Sequence, residues 1–189
     1  MKRLGKYLSD DDINLLNQLL WRKIYFLRCS SLSANTIEKK YAASVFQLPF
    51  FWKDKVGNEQ SKVIEFQSEW TEDEETLLDF YTFKLKVFEN KSLSNFLDNA
   101  QNQSSYNDIN SNISFSQFTI SQIQILSRIE NIDNETELNY DEGILFVDNE
   151  DNKILIAAEL GITNQLEFII DLDAIENRIS ELKVRKSVS

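Results

Sequence analysis

Two nearly continuous apolar runs, Gly143–Val147 (GILFV) and Lys153–Ala157 (KILIA), stand on either side of the five residues DNEDN. A strand with one face in water alternates apolar and polar residues, so unbroken β-branched runs read as central strands covered on both faces. The polar residues between them admit a metal reading. Asp148, Glu150, Asn152 and Glu159 occupy the first, third, fifth and twelfth places of a calcium loop. Such a loop needs glycine at its sixth place and helices on its flanks, and here that place is Lys153 and the flanks are strand-like. A hairpin turn explains the same residues, because Asn and Asp tolerate the left-handed backbone and satisfy nearby amides with their own side chains.

Other segments carry helical or alternating patterns. Asp10–Asp12 can cap a helix whose apolar positions Ile13, Leu16, Leu19 or Leu20, Ile24 and Leu27 follow, with Arg22, Lys23 and Arg28 near its far end. A second helix is expected from Asn35, with Glu38 completing a capping box, Ile37, Tyr41, Val45 and Leu48 on one face, and Pro49 ending it. The period then falls to two. Ile64–Phe66–Trp70 and Tyr81–Phe83–Leu85–Val87 predict a hairpin joined through Thr71–Glu75. Further strands are expected at Ile120–Ile129, at the two apolar runs and at Leu166–Ile170. A last helix would be capped by Asp173, run through Ile175, Ile179 and Leu182, and carry Lys183, Arg185 and Lys186 at its end. Between the hairpin and these strands, thirteen of the nineteen residues from Asn99 to Gln117 are Asn, Gln or Ser, a composition that predicts a long mobile loop or a disordered excursion. The expected architecture is one α+β domain over residues 1–189, with a mostly antiparallel sheet of about five to six strands, two N-terminal helices and one C-terminal helix.

The residue inventory narrows the chemistry. The chain of 189 residues has no histidine, so the usual general base near neutral pH is missing and Ser-His-Asp and Cys-His arrangements are impossible. Four glycines form no phosphate-cradling motif, and the single cysteine, Cys29, allows neither an internal disulfide nor a Cys/His zinc site. A carboxylate pair within Glu72–Glu75 is the remaining catalytic option, although charge runs are ordinarily solvated surface. The aromatic run Leu48–Trp52 (LPFFW) reads as core ahead of a docking patch. No cofactor and no metal is expected. The basic start MKRLGK lacks the apolar stretch of a signal peptide, and about 18 consecutive apolar residues, as a spanning helix needs, occur nowhere; the reading is a soluble cytoplasmic protein.

Charge is unevenly placed along the chain. Of the net −11, residues 130–176 hold fourteen Asp and Glu against Lys153 alone, a balance of −13, whereas the first 129 hold sixteen acids against fifteen bases. A face of that sign would repel nucleic acid and anionic membranes and attract and orient a basic protein.

The stretch Leu138–Leu182, with NYDEGILFVDNEDNKILIAAE followed by NQLEFIIDLDAIENRISEL, resembles the closing module of cytoplasmic immunity proteins of bacterial toxin systems, contact-dependent growth inhibition above all. In those proteins a Gly-initiated strand, an acidic turn, two further strands and a terminal helix follow one another. The likeness spans 45 of the 189 residues and departs in the turn, where Asp151-Asn152 stands in place of Asp-Gly. It implies a protein that inhibits by binding a cognate toxin domain, basic and nuclease-like. The partner-binding residues implied are Asp148, Glu150 and Asp151 at the hairpin tip, with Glu137, Asp141 and Glu142 nearby. A structural or adaptor protein with an acidic face, and an enzyme centred on carboxylates, are the alternative readings.

Overall fold

The two apolar runs pair with each other, Ile154 opposite Phe146 and Ile156 opposite Ile144, and form the middle of a sheet. In chain order the elements are β1 (Lys2–Leu4), α1 (Asp10–Asn17), β2 (Lys23–Ser30), β3 (Ser33–Asn35), β4 (Lys40–Ala43), β5 (Val45–Lys53), β6 (Glu59–Glu72), β7 (Asp79–Glu89), β8 (Asn110–Asn131), β9 (Thr136–Asp148), β10 (Lys153–Ala158), β11 (Leu166–Ile169), α2 (Leu172–Ile179) and β12 (Lys183–Val188). The computed structural model describes residues 2–30, 32–35, 37, 39–72, 79–89, 110–131, 133, 136–158 and 165–189.

The strands run in the order β3-β4-β11-β10-β9-β8-β2-β5-β6-β7, with β1 parallel to the start of β9 and β12 beside β8. The long β8 belongs to two sheets. Its first part pairs with β2 up to Thr119, and its second part, from Ile120 on, pairs with β9. A register break at Ile120/Gln122, with the extra residue in β8, falls where it passes from one sheet into the other, as in strands at the corners of β-sandwiches. The inner faces meet through aromatic rings: Phe46 of β5 against Phe168 of β11 at 6.0 Å, and Phe66 of β6 against Phe146 of β9 at 6.3 Å. Each such buried Phe contributes about 1.5–3 kcal/mol by leaving water. On its opposite face the β9–β10–β11 layer carries Leu145, Val147, Leu155 and Ile169, and Ile175 of α2 closes that second core. Both faces of β9 and β10 are covered, which is why the runs do not alternate.

The expected α+β architecture is corrected to a mostly antiparallel β-fold with twelve strands and two helices among the described residues. The first helix stops at Asn17, and Ile24 and Leu27 lie in β2. Between Lys23 and Arg28, β2 carries one residue more than β5 opposite, and this bulge lets Ile24 and Leu27, three apart, both enter the core. A bulged strand thus imitates helical spacing. The helix expected from Asn35 is absent from the described residues; Ile37 is 91% exposed, and Tyr41, Val45 and Leu48 lie in β4 and β5. The Asn35 side chain accepts from the Ile37 amide at 3.2 Å, a turn contact chemically equivalent to a cap, while Glu38 lies outside the described residues. Pro49 sits within β5, opposite the interrupted ladder of β2, the setting in which an inner strand tolerates proline.

Of the polar segment 99–117, residues 110–117 belong to β8, where β2 supplies their pairing and Ile113 is buried; residues 99–109 lie outside the described residues. The β6–β7 hairpin forms with Ile64 opposite Val87 and Trp70 opposite Tyr81, and residues 73–78 of its connection lie outside the described residues. The last helix is capped by Asp171, not Asp173, and ends at Ile179, so Lys183, Arg185 and Lys186 lie in β12. In the LPFFW run Leu48 and Phe50 are core, and Phe51 and Trp52 are half-buried.

Candidate functional site

The carboxylates of the resembling segment separate into two groups with different surroundings. Opposite Leu126 and Ser127, β9 holds one extra residue: Leu126 pairs with Gly143 and Ser127 with Asp141, leaving Glu142 without an opposite number. In an unbroken strand Glu142 would share a face with Ile144 and Phe146 and enter the apolar core. The bulge instead turns it toward α2. There it meets Arg128 through Nε and Nη2, the latter at 3.1 Å, and Arg178, whose Nη1 stands 2.6 Å away but off the axis of its N–H bonds, an ionic contact without a hydrogen bond. Arg178 also donates to Glu167 at 3.0 Å and to the Ala158 carbonyl at 2.6 Å, and Lys40 reaches Glu167 at 2.5 Å. Neighbouring Asp141 is 1% exposed and accepts four hydrogen bonds, from Ser127 Oγ, the Leu8 amide and two nitrogens of Arg185.

These groups are cross-links. Asp141 ties the segment before α1, β8 and β12 together, and Glu142 with Glu167 ties α2 to the sheet. The carboxylates hold the Arg128 guanidinium well above its ordinary range, and burial with the Glu142 and Glu130 charges does the same to the Tyr140 phenol. A buried pair of this kind costs much to desolvate and still more to break, so it fixes geometry more than it adds stability. Asp141 and Glu142 are therefore corrected from partner-facing to internal: no surface contact can reach them while Arg185, Arg128 and Arg178 occupy their oxygens. Glu137 is half-buried and accepts from Asn139 Nδ2 at 2.6 Å.

The turn residues have a different setting. Asp148 is 9% exposed and organises the hairpin: Oδ1 accepts from the Glu150 and Asn152 amides at 2.8 and 2.9 Å, and Oδ2 from Asn152 Nδ2 at 2.9 Å. Asp151 adopts φ 62°, so the left-handed position falls on Asp151 itself and not on Asn152, where an Asp-Gly pair would have put the glycine. Glu150 and Asp151 project into solvent. An ion pair from Lys153 to Glu176 ties α2 to the turn, and Asp173 is exposed in the first turn of that helix.

Sequence position alone overstated the local charge. Lys40, Arg128, Arg178 and Arg185 all lie outside residues 130–176, and they neutralise Asp141, Glu142 and Glu167 in space. What the residue pattern did not reveal is which carboxylates would be internal. The one available signal was that Asp141-Glu142 stands directly ahead of the apolar run Gly143–Val147.

Among the described residues no group of three or more Asp, Glu or Cys side chains is placed to hold a metal ion, and no helix is long and apolar enough to cross a membrane. No family model matches the sequence, and neither a curated protein nor a solved structure matches it.

Proposed function

We propose that the chain is a cytoplasmic immunity protein of the contact-dependent growth inhibition type, which binds and neutralises a basic, nuclease-like toxin domain without catalysis of its own. The contact surface in this reading is the β9–β10 turn with the adjoining start of α2. The observation that carries the reading is that Glu150 and Asp151 stand exposed at the tip of a hairpin both of whose strands are buried, and neither has a cationic partner among the described residues. A rigid frame presenting unneutralised carboxylates steers a cationic surface into register, and little of its shape need change on binding. Exposed ion pairs contribute only ~0–1 kcal/mol each, so tightness must come from apolar contact beside them.

The resembling stretch spans β9, β10, β11 and α2, the same unit that builds this surface. The test is co-expression with the product of the neighbouring gene. A large secreted protein ending in a small basic domain should be bound, its toxicity suppressed, and the affinity should fall as salt rises. Substituting Glu150→Gln with Asp151→Asn should slow association and flatten the salt dependence. Toxicity undiminished by the co-expressed chain refutes the proposal.

A further inference from the structure

A groove of about 200 Å3 opens directly beside the turn, where the two sheets part. Phe115 and Phe118 of β8, Ile154 of β10 and Ile170 line it together with Asp148 and Asn152. Phe118 and Ile154 belong to the core between the sheets, so the groove is that core brought to the surface. Its volume suits one large side chain. The second, independent feature is the state of Asp148. The residue is 9% exposed, yet the three hydrogen-bond donors to its carboxylate are neutral groups and no cation pairs with it among the described residues. A carboxylate can accept about four hydrogen bonds, which leaves capacity for one more donor. Lys153 also lines the groove, but its ammonium is held by Glu176.

We infer that this groove seats a single arginine side chain of a protein partner, with the aliphatic stem against Phe115, Phe118, Ile154 and Ile170 and the guanidinium at Asp148. A long side chain that is apolar along its stem and cationic at its head matches both the wall and the uncompensated charge, and anchors of this type dominate binding energy at interfaces. The inference rests on the proposed reading in that the partner is basic.

The probe is N-acetyl-L-arginine amide, titrated into the intact chain and followed by amide chemical shifts, with N-acetyl-L-norleucine amide as the uncharged control. Shifts should converge on Phe118, Asp148, Asn152 and Ile154, with about tenfold weaker binding of the control. Asp148→Asn should remove that preference. Because this change also touches the turn, Ser116→Trp, at an exposed position beside the groove wall, is the second variant and should block the probe with the turn intact. Equal binding of the two compounds, shifts gathered instead around Glu65 and Glu69, or full binding to both variants overturns the assignment. A basic toxin domain that binds the Ser116→Trp and Asp148→Asn variants as tightly as the parent sinks this inference alone. Arginine binding in the groove without neutralisation of any toxin sinks the functional reading and leaves the groove assignment standing.

Discussion

Arg185 grips Asp141 with two parallel hydrogen bonds, Nε to Oδ1 at 2.7 Å and Nη2 to Oδ2 at 2.6 Å. Both residues stand at register breaks. In β12, Arg185 is the residue left over between Val184, opposite Leu126, and Lys186, opposite Ile125; in β9, the break falls between Gly143 and Asp141. Two irregular strands on opposite sides of β8 thus aim their charged side chains at each other, and the guanidinium also lies 4.8 Å over the Tyr7 ring. Asp141→Ala would strand Arg185 and leave Ser127 and the Leu8 amide without their acceptor. The expected loss of stability is about 3–5 kcal/mol, the range for breaking a buried pair. Arg185→Ala should cost at least as much, because the carboxylate it leaves without a cation is 1% exposed, whereas the guanidinium left by Asp141→Ala is 26% exposed and can turn toward water. Urea unfolding of the two single variants and the double variant checks this: the double should be far less destabilised than the sum of the singles.

Gly5 makes a second tight join in the same region. Its φ is 147°, and a Cβ there would fall 1.5 Å from the Asn139 carbonyl oxygen, a backbone atom that no rotamer change can move aside. The approach lets the chain leading into α1 lie against β9, where the Asp141 amide donates to the Lys6 carbonyl at 3.3 Å. Gly5→Ala should therefore destabilise by more than about 2 kcal/mol through strain and loss of this contact. Gly57→Ala is the control. It shares a positive φ, 91°, but has open space around it, so only the conformational cost should appear in its thermal midpoint.

The parts of this fold legible in sequence were those whose periodicity reflects one cause. The β6–β7 hairpin alternates because one face is wet, and β9 and β10 do not alternate because α2 covers their second face. The parts misread had two causes mixed together. In β2 a bulge spaced Ile24 and Leu27 like helix neighbours, and at Asn35 an amide side chain serves a turn with the same chemistry as a cap. The candidate surface was half legible. Glu150 and Asp151 lie where the hairpin reading put them, but the burial of Asp141 and Glu142 depends on Arg128, Arg178 and Arg185, contributed by β8, α2 and β12 through pairings that no local pattern encodes.

Cys29 lies at 3% exposure in the core between the sheets, with its thiol donating to the Ser111 carbonyl at 3.6 Å. Burial pushes its pKa up to about 11, since a thiolate there would lose its hydration. The stability contributed by the protonated thiol is complete below the ordinary thiol range and is lost as pH rises through 11. At pH 8 ionisation alone should slow alkylation by iodoacetamide on the order of a hundredfold relative to the urea-unfolded chain. Mass spectrometry of timed samples gives the rate. Reaction of the native chain at the unfolded rate would place Cys29 at the surface and contradict the β2–β8 pairing.

Glu69 offers a pH dependence of opposite sign. Lys6 donates to its Oε2 at 2.7 Å and Lys84 to its Oε1 at 2.9 Å, and these two contacts hold its carboxyl below the ordinary value of 4.5. The folded state therefore binds this proton less readily than the unfolded state. The stabilisation is fully present above the ordinary carboxylate range and is lost as pH falls through the folded value. Carboxyl-carbon NMR from pH 7 to 2 should find Glu69 titrating on the acid side of a free glutamate, and Lys6→Ala with Lys84→Ala should return it toward 4.5. Any stability gap between that double variant and the parent should narrow through the same acid window, because protonated Glu69 has no ion pair left to lose. A gap that stayed constant down to pH 2 would trace the effect of the lysines to packing of their aliphatic stems across β6 and β7 rather than to charge.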